Sequence, residues 1–311
     1  MKNTRVVFMG TSEFAKEVLA SLMNVVKVVL VVSQPDSIIG RKKVLTPSPV
    51  KEFALSNNLE VFTPEKIKLE INKIEEANPD LIITCAYGQI IPKSILDMPK
   101  LGCINVHASL LPKFRGGAPI HRAIMEGLTK TGITIMYMDE HMDTGDIIES
   151  SVVDITLEDD LNSLSSKLIK CANNLLASVL PKIIDGSAPR IKQNDEEATY
   201  AKIITKEDEL IDFNKSTKEI YDQIRALNPN PGAYFTLNNE VIKVYSASIG
   251  NMAGKIGCIN NIYKDGIGIG TKDGEIILKT IKPAGKNIVL VKDYLNGVKK
   301  EKLIGVICNE R

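Results

Sequence analysis

Asn105 and His107 close a short apolar run, Ile104-Asn105-Val106-His107, that begins two residues after Gly102. Side chains alternate along an extended strand, so the carboxamide and the imidazole share one face. An imidazole accepts a proton near neutral pH, and an amide N–H donates to an oxygen that is gaining negative charge. The pair therefore suits acyl chemistry. A lone histidine is most often a hydrogen-bonded structural residue, but two features set His107 apart. An irregular loop, 109–117, follows the strand directly. A second loop, 138–146, follows the next apolar run and carries Asp139, Glu140, Asp143 and Asp146, carboxylates that can orient and stabilise an imidazolium. His121 and His141 lack such a setting, and His121 reads as a structural or surface residue within a helical segment.

The elements around these residues alternate between strand and helix. Apolar β-branched runs at 6–9, 28–32, 81–84, 104–107 and 133–138 are separated by helical or polar segments. Such runs predict a parallel sheet covered on both faces, with ligands at the carboxyl ends of its strands. That rule singles out residues 86–89, 107–115 and 139–145. A dinucleotide fingerprint is weak at the first turn, which has only Gly10 where three glycines are needed. The polar stretch 33–48 is longer than most βα loops and contains Gly40-Arg41-Lys42-Lys43. On its own this cluster reads either as a solvated surface loop or as a phosphate-binding one.

The second half changes character. Residues 157–180 form a long helical pattern, with Thr156 and Asp159 placed as a variant capping box. The polar stretch 181–205 reads as a linker. Ser216-Thr217-Lys218-Glu219 predicts a capped helix with Ile220, Ile224 and Leu227 on one face, stopped by Asn228-Pro229-Asn230-Pro231-Gly232. Short β-rich runs broken by turn residues then predict a small antiparallel barrel.

Composition narrows the class further. The 311 residues carry 39 basic and 38 acidic side chains, which excludes a uniformly basic nucleic-acid coat and an acidic disordered chain. Residues beyond 205 hold 16 basic against 13 acidic groups, a mild asymmetry that a polyanion partner or a solvated surface explains equally well. Five cysteines, at 85, 103, 171, 258 and 308, show no CxxC pair and read as reduced thiols. The apolar run at the N-terminus is too short for a signal peptide, and no run suits a membrane span. A soluble, cytoplasmic protein is expected.

The run NVHASLLPKFRGGAPI, followed by GITIMYMDEHMDTGDII, resembles the formyltransferase family that uses 10-formyltetrahydrofolate. FMGTSEFA, SQPDSIIGRKKVLTPSPVK, CAYGQIIPKSILDMPKLGCINVH, LNPNPGAYF and KPAGK extend the resemblance, specifically to the methionyl-tRNA formyltransferases, over about residues 5–295. The resemblance implies that Asn105, His107 and Asp143 form a catalytic trio, with Asp143 holding His107 in the useful tautomer and helping to return a proton to N10 of the folate. It implies that Ser109, Leu110, Leu111 and Pro112 form a formyl-folate-binding loop. Ala86, Tyr87, Gly88, Gln89, Ile90 and Asp139 would flank the pterin. It also turns Arg41, Lys42 and Lys43 into tRNA-binding residues.

The fold it implies is α/β: a Rossmann-like, mostly parallel sheet domain over 1–180, a linker over 181–205, and an OB-like β-barrel tRNA-binding domain over 206–311. Initiator methionyl-tRNA and the folate co-substrate are the expected partners, with no metal, no membrane and a monomeric chain. Related enzymes use the same trio on a purine precursor, on amino sugars or in hydrolysis. The basic loop and the β-rich extension argue against these, and an intact trio argues against a non-catalytic tRNA-binding module. Two departures stand out: His141-Met142 replaces a common Gly-Leu, and Asn230 replaces a common Trp. A Gly-to-His change would restrict the backbone beside the site.

Overall fold

The computed structural model describes residues 1–39 and 43–309. Two compact units emerge. The first takes Met1–Pro119, Lys130–Asp154 and Ser165–Lys202, and the second takes Ile120–Thr129, Ile155–Leu164 and the chain from Ile203 onward.

Strands of the first unit are β1 (Arg5–Gly10), β2 (Lys27–Val32), β3 (Ser37–Ile39), β4 (Val44–Thr46), β5 (Val61–Phe62), β6 (Leu81–Cys85), β7 (Cys103–His107), β8 (Lys130–Tyr137) and β9 (Ile147–Asp154). Seven of them form one sheet in the order β5-β2-β1-β6-β7-β8-β9. Helices α1 (Glu13–Leu22), α2 (Pro49–Ser56), α3 (Asn72–Ala77) and α4 (Lys93–Leu96) fill the early crossovers, α5 (Pro119–Met125) lies between β7 and β8, and the long α6 (Leu161–Ile184) follows β9. Ser12 and Ser48 cap α1 and α2 by accepting the N–H groups of Ala15 and Lys51. Val6, Val7, Phe8, Ile82, Ile83 and Ile104 are fully buried in the sheet, each a gain of about 1.5–3 kcal/mol.

The sheet is parallel only as far as β7. Both β8 and β9 run antiparallel to their neighbours. The uniform apolar run of β8 concealed this, because a strand buried on both faces looks the same in either direction. At the edge, β9 instead alternates half-buried with exposed residues along most of its length. As a result, Tyr137 lies beside Ile104, and His107 lies opposite Thr134. Loop 138–146 therefore leaves from the end of the sheet opposite to the loop that follows His107.

Other expectations need redrawing. The 33–48 stretch is not all loop, since β3 and β4 pair as a hairpin. Of its basic cluster, Arg41 and Lys42 lie outside the described residues, while Lys43 is exposed with φ +51°. Helix α6 begins at Leu161 rather than 157, because Thr156 N–H donates to Asp159 Oδ2 (2.7 Å) in a turn before it and Asp160 Oδ1 takes Ser163 N–H (2.9 Å). The same helix runs past Pro181 to Ile184. The stretch read as a linker is bonded into the first unit: Ile191 and Ile147 exchange backbone hydrogen bonds, and Arg115 does so with Thr199 and Ala201. Most of its polar side chains face outward, those of Gln193 and Thr199 bond inward, and its backbone is paired, which composition does not reveal.

The second unit contains α7 (Lys206–Glu209), α8 (Thr217–Leu227) and α9 (Val291–Tyr294), with strands β10 (Ala233–Leu237), β11 (Glu240–Gly250), β12 (Ile259–Ile262), β13 (Ile267–Gly270), β14 (Glu275–Pro283) and β15 (Val289–Leu290). An antiparallel sheet runs β10-β11-β14-β13-β12, with β15 on β14. Register shifts around Ser246 bend the long β11, as bulges do. Helix α8 starts in the capping box that its sequence predicts, and buries Ile220, Ile224 and Leu227. Phe213 and Phe235 meet edge to face at 5.9 Å in this core. Among the described residues, no helix is long and apolar enough to cross a membrane.

Candidate active site

At the carboxyl end of β7, Asn105 and His107 project to the same side and meet a single carboxylate. Asp143 Oδ1 lies 3.3 Å from Asn105 Nδ2 and 3.6 Å from His107 Nδ1. Asp143 Oδ2 accepts the N–H of Gly116 at 2.8 Å. The three side chains thus converge although loop 138–146 leaves from the end of the sheet opposite to His107. Loop 138–146 folds back from Tyr137, and its foot is closed where Tyr137 N–H donates to Asp146 O (2.9 Å). Gly145 makes this close return possible, since a Cβ there would stand 1.8 Å from the Tyr137 carbonyl oxygen.

Hydrogen-bond chemistry fixes the orientation of each group. A carboxylate only accepts, so the Asn105 atom facing Asp143 is the NH₂ group. Thr84 Oγ1 accordingly donates to Asn105 Oδ1 at 2.9 Å. One N–H of that amide is then directed at Asp143, which leaves the second for another acceptor. His107 Nε2 lies 2.9 Å from the carbonyl oxygen of Phe114. A carbonyl also only accepts, so Nε2 carries a hydrogen, and in the neutral ring Nδ1 is the nitrogen with the lone pair, beside Asp143. The tautomer is set by Phe114, not by Asp143 as the resemblance implied. What Asp143 offers is a negative charge next to Nδ1. His107 is 6% exposed and Asp143 12%, so water screens this pair weakly.

The loop of Ser109, Leu110, Leu111 and Pro112 is pinned to β8 by Thr134. Its hydroxyl donates to Ser109 O (2.7 Å) and accepts Leu111 N–H (3.2 Å). Ser109 is buried and donates to Lys113 O, so its hydroxyl shapes the loop, whereas Leu110 and Pro112 are half-buried. In the loop after β6, Ala86, Gly88 and Ile90 are exposed, and Tyr87 turns into the core. Burial pushes the Tyr87 hydroxyl well above its usual value. Gln89 ties this loop to its surroundings, accepting Ile67 N–H (2.9 Å) and donating to Pro64 O (3.1 Å). Asp139 Oδ1 accepts from His141 N–H (3.0 Å) and Thr144 Oγ1 (2.7 Å).

His141 is exposed and keeps an ordinary negative φ, so the substitution of His for a common Gly carries no backbone cost here. His121 belongs to the second unit and is half-buried, with burial holding its imidazole below the usual range. Asn230, at the other departure, is exposed.

Sequence reasoning missed three contributors. Thr84 orients Asn105, the Phe114 carbonyl sets the tautomer of His107, and Gln193 bonds the backbone of loop 138–146 from inside the presumed linker. Thr84 could have been found, as it is the next strand's partner of Asn105 at the carboxyl end of β6. Neither of the other two has a spacing signal.

The chain is similar to known proteins along most of its length. Residues 4–180 match the formyl transferase family, and residues 203–299 match the formyl transferase C-terminal domain. The chain is 48% identical to the methionyl-tRNA formyltransferase of Bacillus licheniformis, over 94% of this chain and 95% of that one. It is 47% identical to that of Bacillus subtilis, over 96% of each. Among solved structures, the methionyl-tRNA formyltransferase from Clostridium thermocellum shares the fold at a TM-score of 0.57 and 21% identity, over 91% of this chain and all of that one. Similarity of this extent, across both matched segments, means that the chain belongs to the methionyl-tRNA formyltransferase family.

Proposed function

We propose that this chain transfers the formyl group of 10-formyltetrahydrofolate to the α-amine of methionyl initiator tRNA, giving the N-formylated form used to start translation. The observation that carries the reading is the meeting of Asn105 and His107 on one oxygen of Asp143. The donor set fits the two substrates. A lone pair and a spare N–H stand side by side, as attack of an amine on a formyl carbon requires.

His107 takes a proton from the attacking amine at Nδ1, and Asp143 stabilises the resulting imidazolium. The unused N–H of Asn105 donates to the formyl oxygen as it gains charge, a contribution of about 3 kcal/mol for one such donor. A new C–N bond forms to the methionyl amine, the bond from the formyl carbon to N10 breaks, and the proton held by His107 passes to N10. Ser109, Leu110, Leu111 and Pro112 line the folate side of the site, with Ala86, Tyr87, Gly88, Gln89, Ile90 and Asp139 around the pterin. For Tyr87, the role is through its backbone, since its side chain is in the core.

Arg41, Lys42 and Lys43 engage the tRNA, and the domain over 206–311 supplies the remaining nucleic-acid surface. The protein acts as a monomer in the cytoplasm. Mixing the purified chain with 10-formyltetrahydrofolate and methionyl initiator tRNA tests the whole reading: formylmethionyl-tRNA is expected. No product with both substrates present would overturn it.

A further inference from the structure

Asp143 holds φ +56°, a left-handed conformation that non-glycine residues adopt seldom and at a cost of order 1 kcal/mol or more. The β8–β9 pairing fixes the ends of loop 138–146, but not the residue that carries the carboxylate. Gln193 supplies the missing tie. Its Nε2 donates to the carbonyl oxygens of Asp143 (2.9 Å) and Gly145 (2.8 Å). On its other side, Oε1 accepts from Nε (3.1 Å) and Nη2 (2.8 Å) of Arg115.

Arg115 is itself held firmly. Only 2% exposed, it bonds Asp195 Oδ1 through Nη2 (2.7 Å) and exchanges backbone hydrogen bonds with Thr199 and Ala201. The residue after it, Gly116, provides the N–H on Asp143 Oδ2. Gly116 has φ +118°, and a Cβ there would come within 2.8 Å of Ala201 O. Asp143 is therefore gripped twice, at its backbone through Gln193 and at its carboxylate through Gly116, and both grips lead back to Arg115.

Only a carboxamide can fill the position of Gln193, with two N–H donors toward one loop and a carbonyl with two lone pairs toward the other. Each of those four positions is used. A glutamate would face two carbonyls with acceptors alone, and an aliphatic residue would leave Arg115 and both carbonyls short of partners.

We infer that Gln193 is a positioning residue for formyl transfer, which sets the place of the Asp143 carboxylate against Asn105 and His107 without touching substrate. The inference rests on the proposed function of the site. A role confined to neutral packing would lower the yield or the melting temperature of a variant and leave turnover per folded molecule alone. A positioning role lowers kcat with little change in KM, because the misplaced group matters in the transition state.

The test is steady-state formylation by full-length Gln193→Glu, with methionyl-tRNA and 10-formyltetrahydrofolate varied separately and rates normalised to folded protein by circular dichroism. A misplacement near 1 Å predicts a loss in kcat of about 10- to 100-fold, with both KM values within about threefold of wild type. In an Asp143→Ala background, the same substitution should cost less than about threefold more, since the group it positions is gone. Wild-type kcat in Gln193→Glu, or an equal loss with and without Asp143, overturns the inference. Gln193→Met, uncharged and of similar length, meets the same criteria if the glutamate variant does not fold. Failure of both to fold makes Gln193 a folding residue and also overturns it. An inactive wild-type chain counts against the proposed function instead.

Discussion

Replacing Asp143 by Asn preserves shape and removes charge, and the geometry states what must follow. Gly116 N–H needs an acceptor at the Oδ2 position, 2.8 Å away, so the new amide places its oxygen there. Its NH₂ then occupies the Oδ1 position, 3.3 Å from the NH₂ of Asn105 and 3.6 Å from His107 Nδ1. Two donors face each other, and one new N–H points at the lone pair that has to accept a proton. The electrostatic loss is of similar weight. Unit charges about 3.6 Å apart interact by roughly 4–5 kcal/mol at an effective dielectric constant near 20. With the imidazolium only partly formed in the transition state, about 3 kcal/mol of that is lost, or roughly 10²-fold in kcat. The measurement is single-turnover formylation of methionyl-tRNA, followed by separation of formylated from free methionine, with 10-formyltetrahydrofolate affinity measured separately and expected to be unchanged. A kcat within about threefold of wild type would refute the reasoning. So would a loss confined to folate affinity.

Three further outcomes are expected. His107→Ala should lower kcat by at least ~10². It should also cost about 1–2 kcal/mol of stability, because the Phe114 carbonyl loses its buried donor; normal turnover would remove His107 from the mechanism. Arg41→Ala and Lys43→Ala should each weaken tRNA binding and flatten its salt dependence by about one phosphate contact while sparing folate binding, and an unchanged slope would return these residues to the solvated surface. In the second unit, the Arg122 guanidinium holds the Asp208 carboxyl at about 2, below its ordinary 3.8. A folded value below the unfolded one adds stability that is complete above the unfolded value and lost as pH falls through the folded one, about 2 kcal/mol at neutrality with about half gone by pH 3. Denaturant titrations of Asp208→Asn should show its deficit shrinking from pH 7 to pH 3, and a pH-independent deficit would contradict the linkage.

Much of the site was legible because it depends on local periodicity. Strand alternation alone puts Asn105 and His107 on one side of β7, and the irregular loop behind them marks the strand end. The residues alone offered Asp143 as one of four carboxylates in its loop, and only the family resemblance singled it out. Its loop starts beside Ile104 rather than beside His107, and the direction of β8 leaves no trace in a run buried on both faces. Gln193 was hidden for a related reason, because a polar surface stretch with paired backbone has the same composition as a tether. The hairpin of β3 and β4 went unread because each strand has only three residues, too few for alternation to register.

In the proposed reaction, the hydrogen bond from His107 Nε2 to Phe114 O would make the ring a stationary shuttle. Whether or not Nδ1 holds a proton, Nε2 keeps the same partner, so the imidazole need neither rotate nor flip during turnover. Uptake and release must then use one nitrogen on one side of the ring. The attacking amine and the departing N10 are joined to the same formyl carbon, which lets a single fixed nitrogen serve both. A proton leaves over the path by which it came, and the time between the two transfers is set by the bonds at carbon rather than by motion of the base.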